Sequence, residues 1–115
     1  MPAPVQPDPG DLDISTVSGS PVCSVTVRGD VDSVNAARFG DHLLQVVRRP
    51  GVHTVQLDLR GVTFLDSAGL TALVVAHRAA EEAGRVLCLR CGSSRAVRRP
   101  LEITGLSSML TIVDA

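Results

Sequence analysis

The chain has 115 residues, is 44% apolar and 20% charged, and carries a formal net charge of −1. That length supports one domain with a buried core, and a charge so near zero offers no field to recruit nucleic acid or an anionic membrane surface. Phe39 and Phe64 are the only aromatic residues, too few for a platform on which bases could stack, so direct nucleic-acid binding is not expected. No apolar run approaches the roughly 18 residues of a membrane span. The opening "MPAPVQPDPG" has Pro and Asp where a secretory leader needs basic and then apolar residues. A cytoplasmic location without membrane insertion is the expectation. Three cysteines, Cys23, Cys88 and Cys91, suit a reducing compartment better than a disulfide framework. "CLRC" has C-x-x-C spacing, but no second pair completes a zinc site, so buried or half-buried thiols are expected.

Residues 1–10 contain four prolines and read as a mobile tail, leaving 11–115 for the domain. "DLDISTV" and "VCSVTVRG", separated by the turn "SGSP", alternate apolar and polar residues and read as a hairpin. "GDVD" (Gly29 to Asp32) leads out of the second strand. From Ser33 to Arg48, Ala36, Phe39, Leu43 and Val46 recur at three- and four-residue steps, the spacing of one helix face. Asp32 or Ser33 can cap that helix, and Pro50-Gly51 stops it. "HTVQLDL" places Val55, Leu57 and Leu59 on one side of a strand, and "RGVTFL" reads as a connection. A helix follows from about Ser67 to Ala83, with Leu70, Leu73, Val74 and His77 inward and Gly84 at its end. "RVLCLR" is a short strand. "SSRAVRRPLEITGL" is a last helix capped by Ser93 or Ser94 and stopped by Gly105, in which Pro100 implies a kink or a late start. Met109 to Val113 reads as a final edge strand. Strands alternating with helices of this length imply βαβ units and a mostly parallel sheet, so the fold class is α/β with an N-terminal β-hairpin.

No catalytic pattern survives inspection. A nucleophile elbow needs G-x-S-x-G, and Leu65 stands where its first Gly belongs. His42, His53 and His77 have no acid placed to make a triad. A Walker loop needs Lys, and all 11 basic residues are Arg. Asp30 and Asp32 are a sparse pair for a metal. The chain is therefore expected to be no enzyme and to carry no cofactor.

The informative stretch is "GVTFLDSAGL". Asp66 or Ser67 can cap the helix that starts there, a contribution of about 1 kcal/mol. The same position tolerates a modification. A phosphate on Ser67 would add about −1.5 to −2 charges beside unsatisfied N–H groups and the positive end of a helix dipole. Ala68 and Gly69, being small, leave room for a partner to approach. Cap and switch are compatible.

The order of elements and three local words resemble the STAS domain of bacterial anti-sigma factor antagonists, over nearly the whole chain from Leu12 to Val113. "VTFLDSAGL" is similar to the motif whose usual core is D-S-S-G, with Ala68 in place of the second serine. "GDVD" is similar to the G-E-L/V-D turn, and "AVRRPLEITGL" to the family's last helix. The resemblance implies that Ser67 is phosphorylated by a cognate anti-sigma factor serine kinase. It also implies a partner surface of Asp30, Asp32, Asp66, Ser67, Ala68 and Gly69. Unphosphorylated protein would bind the anti-sigma factor and free a sigma factor for transcription; phosphorylation would release it, and a serine phosphatase would reset it. Nucleotide and Mg²⁺ would belong to the kinase. The alternative within the same fold is a scaffold or regulatory subunit of a stress-sensing or transporter complex without a kinase cycle. The sequence leaves the sigma factor, the signal and the oligomeric state open.

Overall fold

The computed structural model describes residues 12–114; the expected tail over 1–10 lies outside them. Among the described residues, one five-stranded sheet runs in the order β1 (Asp13–Val17), β2 (Val22–Val31), β3 (Thr54–Leu65), β4 (Val86–Arg90) and β5 (Thr111–Ile112). β1 and β2 are antiparallel and every other pairing is parallel. The crossovers are α1 (Ala36–Val47), α2 (Ser67–Glu82) and α3 (Arg95–Ile103), the last followed by a 3₁₀ turn at Leu106–Ser108. The α/β sheet with its opening hairpin is thus as expected.

Alternation decides which side of the sheet is covered. Cys23, Val25 and Val27 of β2, Val55, Leu57 and Leu59 of β3, and Leu87 and Leu89 of β4 are buried. Between them, Arg28, Gln56, Arg60 and Arg90 are exposed. A period of two with one apolar set means a sheet with one packed face and one open face. The packed face meets Phe39, Leu43, Val46 and Val47 of α1, Leu70 and Leu73 of α2, and Val97 and Leu101 of α3, in one core. The α1–α2 contact is tight because small residues meet there. A Cβ added at Gly40 would lie 3.3 Å from that of Ala72, and Ala76 and Ala80 continue the buried face of α2.

Four expectations are corrected. "RGVTFL" is not a connection but the second half of β3, because Arg28–Val31 of β2 supplies it with a ladder partner, with Val31 opposite Leu65. The first helix begins at Ala36, not Ser33, because residues 33–35 form a turn around the Asp32 side chain. The last strand is only Thr111–Ile112, since Met109 and Leu110 close the preceding 3₁₀ turn onto Leu106. The late start that Pro100 allowed for α3 does not occur. The helix begins just after Ser94 and includes Pro100 as its sixth residue, which removes only the N–H that the Ala96 carbonyl would accept. Ser94 holds the N-cap position, but its hydroxyl donates to the Val62 carbonyl at 3.1 Å instead of capping. Gly84 and Gly105 do end their helices, with φ of 69° and 78°, the left-handed region that suits glycine at a helix C-terminus.

Candidate functional site

Parallel pairing brings the carboxyl ends of β2 and β3 side by side, so the two words "GDVD" and "FLDSAG" meet in space. Asp30 lies opposite Phe64 in the ladder. The Asp66 N–H donates to the Val31 carbonyl at 3.2 Å, extending the pairing to the start of α2. Asp30 and Asp32 therefore flank the Asp66–Ser67 junction, although about 35 residues separate them in the chain.

Each acid has a local structural role. Asp30 accepts from the Thr63 hydroxyl at 2.6 Å. Asp32 accepts the N–H groups of Val34 and Asn35 at 2.9 and 3.2 Å, while the Asn35 side chain accepts from the Asp32 N–H at 2.9 Å. Asn35 also donates to the Asp30 carbonyl at 2.8 Å. This reciprocal exchange over three residues is the logic of a capping box, and it fixes the turn ahead of α1. Asp66 occupies the N-cap of α2, and its carboxylate accepts the Gly69 N–H at 3.1 Å. Of the two candidate caps, Asp66 is the one used. Asn35 and Thr63 had gone unnoticed in the sequence; D-x-x-N after a strand was the available signal for Asn35.

Ser67 is the first residue of α2 and is exposed. Its hydroxyl makes no hydrogen bond among the described residues, whereas its carbonyl accepts from the Thr71 hydroxyl at 2.9 Å. The helix N-terminus is less open to an anion than the sequence suggested. Gly69 N–H goes to the Asp66 side chain and Leu70 N–H to the Asp66 carbonyl, so only the amides of Ser67 and Ala68 lack a partner among the described residues. Ala68 is half-buried and borders a groove between α1 and α2. Gly69 does not face outward. It is buried, and an added Cβ would lie 2.5 Å from Leu65 Cδ1 and 2.8 Å from Val31 Cγ1. Its missing side chain serves internal packing, where the sequence had suggested room for a partner.

A groove of about 510 Å³ opens beside Ser67, between the β3–α2 junction and α3. Phe64 and Ile103, 49% and 72% exposed, stand along it, and Arg95 and Arg99 of α3 also line it. The three histidines lie elsewhere. His42 shares a 2.6 Å hydrogen bond with Thr16, His53 neighbours Thr54 at 3.3 Å, and His77 sits ten residues along α2 from Ser67, about 15 Å of helix. The His77 ring contacts Glu81 at 3.1 Å. Among the described residues, no group of three His, Cys, Asp or Glu side chains is placed to hold a metal ion, and no helix is long and apolar enough to cross a membrane. Cys23 and Cys91 are buried and Cys88 half-buried, all as free thiols, in keeping with the reading from sequence.

A site made of helix caps, an unbonded serine hydroxyl and an apolar groove can present a surface and accept a modification; it holds no partnered nucleophile and base. Comparison with known proteins agrees in kind. The chain is 28% identical to the anti-sigma-B factor antagonist of Staphylococcus epidermidis, over 89% of this chain and 93% of that one. An anti-sigma factor antagonist from Mycobacterium paratuberculosis superposes with a TM-score of 0.77 at 26% identity, covering 96% of this chain and 92% of that one. The Bacillus cell-fate determinant SpoIIAA in its phosphorylated form shares the fold, with a TM-score of 0.66 at 15% identity over 90% and 92% of the two chains. Such antagonists are regulatory binding proteins rather than enzymes. The family model of the STAS domain matches residues 13–115, and the chain belongs to that family.

Proposed function

We propose that this protein is an anti-sigma factor antagonist whose binding is switched by phosphorylation of Ser67 in the cytoplasm, with residues 11–115 as the working domain. The observation that carries the reading is the exposed, unbonded Ser67 hydroxyl at the start of α2, flanked by Asp30, Asp32 and Asp66. The names of its relatives agree with it. The partner is an anti-sigma factor with serine-kinase activity, docking over Asp30, Asp32, Asp66, Ser67 and Ala68, with Gly69 shaping the junction from inside. In the modification step the Ser67 oxygen bonds to the γ-phosphorus of ATP held by the kinase. The bond from that phosphorus to the β,γ-bridging oxygen breaks, ADP leaves, and the hydroxyl proton passes to a base on the kinase. The product places a new anion against the kinase's own nucleotide phosphates, and like charges brought together across an interface cost several kcal/mol. Release follows, the sigma factor is bound again, and a serine phosphatase restores the hydroxyl.

The test is binding of purified protein to each anti-sigma serine kinase of its own cell, by titration calorimetry. Ser67→Asp is expected to weaken binding by on the order of tenfold or more, and Ser67→Ala to hold binding through incubation with ATP. Equal behaviour of the two variants would sink the switch.

A further inference from the structure

We propose that Arg95 and Arg99 of α3 form a receptor within the same molecule for a phosphate carried on Ser67, closing a phosphoserine–arginine clamp across the groove. This rests on the reading that Ser67 is modified, and adds where the modified side chain goes.

The geometry begins with the shared groove. Ser67 lines it from the β3–α2 junction, and Arg95 and Arg99 line it from α3. The junction alone is a poor receptor. Asp66 already takes the Gly69 N–H, which leaves two amides, and the Asp66 carboxylate would stand next in sequence to a dianion. A phosphate there needs cations from outside its own helix.

Arg95 and Arg99 answer that need. Spaced i,i+4, they share one side of α3, and both are exposed. Neither makes a hydrogen bond or ion pair with any described residue. Like charges at that spacing disfavour a helix, so the pair is uncompensated as it stands. Arg98, between them, is used differently, donating to the Gly92 and Asp114 carbonyls and pairing with the Asp114 carboxylate at 3.6 Å. A guanidinium fork matches phosphate oxygens two at a time. The other charged groups around the serine do not replace it: Asp66 and Asp30 carry the wrong sign, and Arg78, which lines a neighbouring groove that Ser67 also borders, lies eleven residues along α2, about 16 Å of helix. The clamp would hold the phosphate in the groove that Phe64 and Ile103 also line, changing the charge of that surface.

The experiment needs no kinase. Phosphoserine is installed at position 67 by genetic-code expansion, and its second ionisation is followed by ³¹P NMR across pH 4 to 8. In the wild type that ionisation is expected below the value of about 6 for free phosphoserine. Arg95→Gln/Arg99→Gln should raise it by on the order of one unit, while Arg48→Gln, at the far end of α1, should leave it in place. The same titration in the wild type and the double variant would overturn the clamp, as would an equal rise with Arg48→Gln. Because the phosphoserine is incorporated during translation, failure of any kinase to modify Ser67 would leave this result standing. A flat titration would in turn leave the Ser67→Asp and Ser67→Ala binding test untouched.

Discussion

Replacing Gly69 with Ala sets two effects of opposite sign against each other, and the structure says which wins. In an exposed helix the substitution is favourable by about 0.5–1 kcal/mol, from the entropy that glycine loses on folding and its poor helix propensity. Here the new Cβ would stand 2.5 Å from Leu65 Cδ1 and 2.8 Å from Val31 Cγ1, against an ordinary carbon–carbon separation of about 3.5–4.0 Å. Leu65 can swing its terminal methyl aside. Val31 is fully buried and, being β-branched, is stiff about χ1, so α2 must move away from β2. Overpacking of this kind costs about 1–3 kcal/mol, and the net expectation is a loss of about 1 kcal/mol. That corresponds to a fall in Tm of about 4–8 °C in a domain near this size, and an equal change in stability should appear in urea unfolding at constant m-value. Gly69→Ala/Val31→Ala removes the stiff neighbour and should be less destabilised than the sum of the single changes, by about 0.5 kcal/mol or more. A neutral or stabilising Gly69→Ala would refute the packing argument and return Gly69 to a surface role.

Two further outcomes follow from the β4–β5 side of the sheet. The Asp114 carboxylate is held below the usual carboxylate range, first by the Cys91 N–H, then by the Gly92 N–H and Arg98, against the opposing effect of burial. A depressed folded-state value lends stability that is complete above the unfolded value near 3.9 and is lost as pH falls through the folded value. The urea midpoint of Asp114→Asn should therefore lie below that of the wild type at pH 6–7, and the two should converge below about pH 4; a constant gap down to pH 3 would contradict the assignment. The Cys91 thiol is pushed up to about 11 by burial and by the nearby Asp114 charge, and Cys23 is buried with it. At neutral pH a thiol reagent should label only Cys88 in the native protein, slowly because burial raises its value too, and all three thiols in urea. Native labelling of Cys91 at the rate of a free thiol would show the β4 end to be open.

Much of this was legible because it is local. A period of two in "HTVQLDL" and of 3.6 from Ala36 to Val46 reports which faces are apolar, since backbone geometry ties side-chain direction to sequence spacing. Gly84 and Gly105 marked helix ends because few other residues adopt positive φ without strain. The D-S-A-G junction stood out for the same reason: a cap is a short-range arrangement of one side chain and amides two or three residues away. Alanine carries too weak a signal to be called apolar or polar by pattern, so the buried Ala72, Ala76 and Ala80 face of α2 was missed while Leu70 and Leu73 were found.

What the sequence determined by itself, then, was the kind of element at each place and the serine at the start of α2. Tertiary structure alone decided which segments lie together. Parallel pairing of β2 with β3 brought Asp30 and Asp32 to the β3–α2 junction that carries Ser67, extended β3 through "RGVTFL", and turned Gly69 inward against Val31. The return of α3 across the sheet carried Arg95, Arg99 and Ile103 to the same groove. Contacts between residues some 30 positions apart depend on strand order and register, and no local spacing encodes those.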